Sequence, residues 1–217
     1  MKRFCFLVSG GGGPLRFFFY AISLLELPFE IVFVIGDRAC GALDFAKAKG
    51  IKWRQVQYSR NNGNELISLL QDVKCDYVIT NFNKILGADV LSSVKARFVN
   101  VHPSLLPAYA GMIGMKTVDC AQSDNNMIIG STCHDVIEEV DAGRILQQVA
   151  FCADWNKEVY RMYDRTFRAA CLALLNVFIE DGSPCANGIA GFLFNPPCRF
   201  DISRLDECFW QKIKSGE

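Results

Sequence analysis

Apolar residues in the first half of the chain occur in short runs separated by amphipathic stretches. The runs at 3–9, 30–36 and 75–82 ("RFCFLVS", "EIVFVIG" and "CDYVITNF") are apolar almost throughout, which is typical of strands covered on both faces of a sheet. The segments "IKWRQVQY" at 51–58 and "RFVNVH" at 97–102 predict two further strands.

The stretches between these runs have the spacing of amphipathic helices. Helices are predicted at 15–27, 41–50, 64–73 and 88–94. Strands that alternate with helices form parallel units, because a parallel pair needs a crossover connection. The predicted fold class is therefore α/β, with a doubly wound, mostly parallel sheet.

The second half of the chain predicts a different arrangement. A helix is predicted at 114–123, followed by two strands at 127–136 and 143–151, which are joined by the acidic turn "IEEVDA". A long helix is expected at 156–181, with apolar residues at heptad-like spacing. The remaining residues, 182–217, are rich in glycine and proline and predict a short irregular C-terminal extension, with at most a short final helix, on a domain that spans 1–181.

Composition narrows the function classes. Lys+Arg and Asp+Glu both total 23, so the net charge is zero and no broad basic field favours nucleic acid or an anionic membrane. None of the ten cysteines forms a C-x-x-C pair, so no zinc motif is present, and several lie in apolar stretches as reduced thiols do. The apolar runs are too short for a membrane span. We expect a cytoplasmic protein with no metal.

The glycine loop "SGGGGP" lies between the first strand and the first helix. Backbone N–H groups and the helix dipole at such a position favour an anion. The loop does not match G-x-G-x-x-G, because Pro14 and Leu15 displace the third glycine, and no Walker A lysine follows. A tight strand–helix turn that simply needs glycine is the alternative interpretation.

A second group of polar residues ends the fifth predicted strand. Asn100 and His102 are two residues apart, so their side chains point to the same face of the sheet, where together they can polarise one carbonyl oxygen. Asp141, on the acidic turn, is the candidate proton acceptor for an attacking amine. Taken singly, the His-Pro loop and the "DAG" turn are also compatible with purely structural roles.

These residues together resemble the N10-formyltetrahydrofolate-dependent formyltransferase family. The family motif Asn-x-His-Pro-Ser-Leu-Leu-Pro is present from Asn100 to Pro107, followed by Thr132-Cys133-His134 and Asp141-Ala142-Gly143. The resemblance covers the chain from its first residue to about residue 181. It implies a Rossmann-like formyltransferase core and an N-formyltransferase that uses N10-formyltetrahydrofolate as donor.

The resemblance also implies the roles of the catalytic residues. Asn100 and His102 would bind the formyl oxygen and stabilise the oxyanion. Asp141 would orient His102 and help to take the proton from the amine, with His134 in a supporting role. Pro103 and Ser104 would form a rigid wall at the substrate.

The same resemblance implies that two further segments bind the folate. One comprises Asn83, Lys84, Ile85 and Leu86, whose backbone groups would hold the pterin. The other comprises Ile137, Glu138, Glu139 and Val140, which would form the opposite wall of the pocket.

The acceptor is less closely defined. In the glycinamide ribonucleotide formyltransferases the glycine loop reads like Ser-Gly-x-Gly-Ser-Asn and holds the phosphate of the substrate, whereas here Gly13 and Pro14 replace the serine and the asparagine. Gly11, Gly12 and Gly13 could hold a phosphate only through backbone groups, and Pro14 has no N–H. We therefore expect a nucleotide-linked amino sugar as acceptor, with glycinamide ribonucleotide as the alternative.

Other readings of the family remain open. The extension is too short for the basic C-terminal barrel of methionyl-tRNA formyltransferases. A non-catalytic folate-binding relative, a formate-releasing hydrolase and a hydroxyornithine-type acceptor are further alternatives. The aromatic pieces of the extension, "GFLFNPPCRF" and "CFW", are compatible with core packing, with stacking on a base or with a homodimer contact.

Overall fold

The computed structural model describes residues 1–180, 188–189 and 191–215. Its strands are β1 (Lys2–Val8), β2 (Phe29–Gly36), β3 (Trp53–Gln55), β4 (Tyr77–Asn81), β5 (Arg97–His102), β6 (Ile128–Asp135), β7 (Ile145–Cys152), β8 (Gly188–Ile189) and β9 (Phe192–Asn195). Its helices are α1 (Gly13–Leu24), α2 (Gly41–Ala48), α3 (Asn64–Val73), α4 (Ala88–Ser93), α5 (Lys116–Ser123), α6 (Val159–Phe178) and α7 (Glu207–Ser215). The chain divides into two compact units, Met1–Asn100 with Leu205–Glu217, and Val101–Arg204.

The first unit contains a parallel sheet with the strand order β3-β2-β1-β4-β5. β1 pairs in parallel with β2 and β4, and β4 pairs in parallel with β5. The order reverses at β1, so the carboxyl ends of β1 and β4 flank a topological switch point. The prediction of a doubly wound, mostly parallel α/β fold is confirmed.

The apolar runs of the sequence form the core of this unit. Residues 4–8 of β1 are fully buried, as expected for a strand covered on both faces. Phe4 packs edge-on against Phe18 of α1, with the ring centroids 4.8 Å apart. On the same helix, Phe17 stacks on Trp210 of α7 at 5.3 Å, so the last helix covers α1.

The second unit is built around antiparallel strands. β6 pairs with β7, β7 pairs with β9, and the backbone of β8 pairs with β9. The long helix α6 packs on β6 and β7, and its residues 169–175 are buried. The predicted strand pair and long helix are therefore both present.

The structure contains more regular structure near the C-terminus than the sequence predicted. "FLFN" forms β9, with Phe192 and Phe194 buried and Leu193 exposed. This alternation was not recognised in the sequence, because it covers only four residues among glycines and prolines. The predicted third strand shrinks to Trp53–Gln55. The expected domain boundary between residues 181 and 182 lies outside the described residues.

No helix within the described ranges combines the length and the apolar character needed to cross a membrane.

Candidate active site

His102 ends β5 and makes two close contacts with acceptor oxygens. Its Nδ1 lies 3.1 Å from Oδ2 of Asp141, and its Nε2 lies 3.0 Å from the backbone carbonyl oxygen of Tyr109. The two side chains are almost enclosed, with 4% of His102 and 8% of Asp141 exposed. The structure thus brings together the histidine and the carboxylate predicted from the two separate motifs.

The turn between β6 and β7 positions Asp141. Asp141 has a left-handed backbone with φ of 55°, a conformation that aspartate tolerates better than most residues. Two residues later the turn passes so close to β6 that a Cβ at Gly143 would lie 1.7 Å from the carbonyl oxygen of Asp135. Only glycine fits there, which explains the "DAG" sequence physically.

Asp141 has two further hydrogen-bonding partners. The backbone N–H of Gly111 donates to Oδ2 at 2.8 Å, and Nε2 of His134 lies 3.5 Å from Oδ1. Nδ1 of His134 lies 2.8 Å from the carbonyl oxygen of Asp135, which fixes its ring. His134, for which a supporting role is expected, therefore lies next to the candidate catalytic carboxylate.

The protonation of the pair follows from this environment. Burial lowers the pKa of His102, because it disfavours the charged ring, although the charge of Asp141 acts in the opposite direction. Burial alone would raise the pKa of Asp141, but the hydrogen bonds from His134 and the Gly111 amide, together with the nearby histidines, lower it. Near neutral pH the pair therefore consists of a neutral imidazole and a carboxylate.

Asn100 lies two residues before His102 on the same strand. Its side-chain oxygen is 3.1 Å from the hydroxyl of Thr80 on β4, which also lies 3.3 Å from the carbonyl oxygen of Val99. A hydrogen bond from Thr80 to the amide oxygen identifies that oxygen as the acceptor, so the other edge of the side chain carries the N–H donors that the predicted oxyanion role requires. Thr80 was not singled out from the sequence, because a buried threonine in an apolar strand carries no signal of this kind.

The loop after His102 is held by its own hydrogen bonds. The hydroxyl of Ser104 is buried and donates to the carbonyl oxygen of Ala108, so this side chain stabilises the loop. The carbonyl oxygen of Pro103 accepts from Thr117 at 2.6 Å. Thr132 of the second motif donates to the carbonyl oxygen of Ser104 at 2.7 Å, so the two sequence motifs are joined by a hydrogen bond.

The glycine loop precedes α1 in the first unit. Gly12 has φ of 73°, and a Cβ there would lie 2.6 Å from Cβ of Ala42 in α2. Both facts require glycine at this position. The amides of Gly11 and Gly13 have no acceptor among the described residues, so they are free to bind an anion.

The predicted pterin segment begins at the end of β4 and is attached at both ends. The N–H of Asn83 donates to Ser9 at 2.8 Å. The hydroxyl of Tyr58 donates to the carbonyl oxygen of Ile85 at 3.1 Å. Lys84 is exposed and Leu86 is buried. Tyr58 was missed because nothing in the sequence links it to a segment that follows 25 or more residues later.

The second predicted folate segment is open to solvent. Ile137 is 46% exposed and Val140 is 45% exposed, and Glu138 and Glu139 between them are also exposed. Exposed large apolar side chains next to the buried carboxylate of Asp141 are suited to covering a planar ring.

Over the ranges that the structure describes, no group of three or more His, Cys, Asp or Glu side chains is arranged to hold a metal ion.

The chain is similar in sequence and in fold to known formyltransferases. The chain is 28% identical over 159 residues to a chloroplastic phosphoribosylglycinamide formyltransferase of Arabidopsis thaliana, and the match covers 69% of this chain and 54% of the relative. It is 29% identical over 157 residues to phosphoribosylglycinamide formyltransferase of Haemophilus influenzae, over 68% of this chain and 72% of the relative. The match with the plant protein thus spans only about half the length of that relative.

The crystal structure of phosphoribosylglycinamide formyltransferase from Anaplasma phagocytophilum superposes with a TM-score of 0.71 at 26% identity, covering 81% of this chain and 84% of that one. Residues 2–178 match the formyl transferase family, a span that contains the histidine–carboxylate pair, Asn100 and the glycine loop. The chain belongs to the formyltransferase family.

Proposed function

We propose that this protein transfers the formyl group of N10-formyltetrahydrofolate to the primary amine of glycinamide ribonucleotide. The observation that carries the proposal is the enclosed pair of His102 and Asp141, in contact at 3.1 Å at the end of β5. Formyl transfer to an amine needs donors for a developing oxyanion and an acceptor for the proton of the amine. This chain has a candidate for each requirement.

Asn100 and His102 supply the donors for the formyl oxygen. Nε2 of His102 lies at hydrogen-bonding distance from the carbonyl oxygen of Tyr109, so an oxygen can be accommodated on that side of the ring. When the neutral ring gains a proton, Nδ1–H donates to Asp141 and Nε2–H is available to donate to the formyl oxygen. Asp141 holds the ring through Nδ1 and takes the proton of the amine, directly or through a water molecule. The lowered pKa of Asp141 keeps it in the required anionic form.

The folate donor supplies an activated formyl group, and the residues present fit it. The apolar side chains of Ile137 and Val140 are exposed, although they follow the buried strand β6. The backbone of 83–86 is fixed by Ser9 and Tyr58. Fixed backbone amides and carbonyls are suited to hydrogen bonding with a pterin ring.

Relatives favour glycinamide ribonucleotide over the nucleotide-linked amino sugar that the glycine loop led us to expect. Both curated relatives described above are named as phosphoribosylglycinamide formyltransferases. The replacement of side-chain donors by Gly13 and Pro14 does not remove the backbone cradle, because the amides of Gly11 and Gly13 remain free. A phosphate needs mainly such amides and a helix N-terminus.

An acceptor panel tests the proposal. The purified protein and N10-formyltetrahydrofolate are incubated with glycinamide ribonucleotide or with nucleotide-linked 3-amino and 4-amino sugars, and release of tetrahydrofolate is followed by absorbance. We expect turnover with glycinamide ribonucleotide, and a fall in kcat of about a hundredfold or more in His102→Ala and in Asp141→Asn. Release that is equal with and without an acceptor would indicate a hydrolase, and preference for an amino sugar would overturn the assignment of the acceptor.

A further inference from the structure

Arg16, in the first turn of α1, has a buried polar atom that the fold does not satisfy. Its Nε is buried and has no hydrogen-bond partner, and no carboxylate among the described residues pairs with its guanidinium. A buried donor without an acceptor destabilises the folded state, and more so when the group is charged. Such a group in a folded protein requires an explanation.

The position of this guanidinium is defined by three neighbours. Nη2 lies 3.8 Å from the place that a Cβ of Gly41 would occupy, and the same place is 3.5 Å from Cα of Gly11. Cζ lies 5.6 Å from the centroid of the Phe45 ring. Arg16 is therefore packed between the beginnings of α1 and α2, next to the glycine loop.

Positive charge accumulates at this place: the first turn of α1 contains no acidic residue, and the first turn of α2 contains one, Asp44. Two helices begin here, at Gly13 and Gly41, and each N-terminus carries a partial positive charge. Asp37, which follows β2, forms an ion pair with Arg38, with its Oδ2 2.7 Å from Nη2 of the arginine. Only 2% of the Asp37 side chain is exposed. An arginine in the first turn of a helix is itself unfavourable, because it adds a like charge to the dipole. A bound anion would offset all three contributions.

We propose that Arg16 is a specificity-determining residue that binds the phosphate group of the acceptor. The inference rests on the proposed function, which supplies a phosphate monoester. The loop has Gly13 and Pro14 where side-chain donors would otherwise contribute. A guanidinium can donate two parallel hydrogen bonds to a phosphate and is the side chain best suited to replace them.

The test separates this role from a purely structural one. The variants are Arg16→Gln, Arg16→Lys and, as a matched control, Arg54→Gln, which removes the same charge from an arginine on β3 that is 59% exposed. Two quantities are measured: KM and kcat with glycinamide ribonucleotide, and the rise in melting temperature caused by millimolar inorganic phosphate.

We expect Arg16→Gln to raise KM for the acceptor by about tenfold or more while kcat and KM for the folate stay within about twofold. Phosphate should stabilise the wild type and Arg54→Gln but not Arg16→Gln, because linkage requires a site in the folded state. Arg16→Lys keeps the charge without the planar fork and should fall between the two.

Unchanged acceptor KM together with undiminished stabilisation by phosphate would overturn the inference. A fall in kcat or a rise in folate KM of the same size would assign Arg16 a structural role and would also overturn it. If Arg16→Gln does not fold, Arg16→Lys decides by the same two measurements. If the wild type does not use glycinamide ribonucleotide, the proposed function fails, and the phosphate measurement alone decides the role of Arg16.

Discussion

At the scale of single residues, the protons of His102 are the central feature of the site. Its two ring nitrogens face two acceptors, Asp141 at 3.1 Å and the carbonyl oxygen of Tyr109 at 3.0 Å. A neutral ring has one N–H and can serve only one of them, whereas a protonated ring serves both. Burial disfavours the protonated ring, and Asp141 favours it. The balance between these two effects sets the protonation state of the His102 ring near neutral pH.

This balance predicts the result of a histidine titration. The chain has only two histidines, so the imidazole proton signals of His102 and His134 can be followed by NMR against pH. We expect His102 to titrate below the usual value of about 6.5, because burial lowers its pKa. In Asp141→Asn the pKa of His102 should fall further, because the carboxylate that favours the charged ring is removed.

The variant His134→Gln assigns the two signals. A pKa of His102 above about 6.5 would contradict this account of the pair. A pKa that is the same in the wild type and in Asp141→Asn would contradict it as well.

At the scale of elements, the segment that follows β9 is held in place within the second unit by a buried pair of amides. Nδ2 of Asn176 in α6 donates to Oε1 of Gln147 at 2.8 Å and to the carbonyl oxygen of Pro197 at 3.0 Å. Its Oδ1 accepts from the N–H of Arg199 at 2.7 Å. Asn176 and Gln147 are 2% and 1% exposed, so neither can exchange these partners for water.

The mutation Asn176→Leu tests the importance of this attachment. It keeps the approximate volume but leaves the N–H of Arg199 and the carbonyl oxygen of Pro197 without partners, so we expect a loss of about 2–4 kcal/mol in the free energy of unfolding. Urea unfolding followed by circular dichroism measures the change. Gln122→Ala, which removes an exposed amide from α5, is the control and should change stability by less than about 0.5 kcal/mol. Equal stability of the two variants would contradict this role.

The sequence predicted elements where the periodicity was long and the environment uniform. The strand at 97–102 and the helix at 64–73 have the predicted bounds, and β1 is displaced by only one residue. β9 was missed, because four residues among glycines and prolines do not establish a period. Its pairing with β7 depends on a contact more than forty residues away in sequence, which no local pattern encodes.

The candidate site was predictable to the extent that residue type and motif order define it. His102, Asp141 and His134 were named from their motifs, and the structure places them together. The groups that orient them were not predictable, because the Gly111 amide and the Tyr109 carbonyl act through the backbone. Hydrogen bonds of backbone N–H and carbonyl groups do not depend on the identity of the side chain, so residue type does not predict them.

At the scale of the whole molecule, the proposed catalytic and binding residues belong to two compact units. The first contains the glycine loop, Arg16 and Asn100, and the second contains His102 and Asp141. All of these residues lie within the span 2–178 that matches the formyl transferase family. A net charge of zero provides no long-range attraction for an anion, so in our proposal the selection of the acceptor depends on local groups such as Arg16.

The central claim is that a formyl group passes from the folate to the amine of glycinamide ribonucleotide through the His102–Asp141 pair. The most direct measurement uses a donor labelled with ¹³C in the formyl group and detects the product by mass spectrometry. We predict labelled N-formylglycinamide ribonucleotide with the wild type and a yield lower by about a hundredfold in His102→Ala at equal protein and time. Labelled formate without the labelled ribonucleotide, or equal yields from the two proteins, would contradict the account.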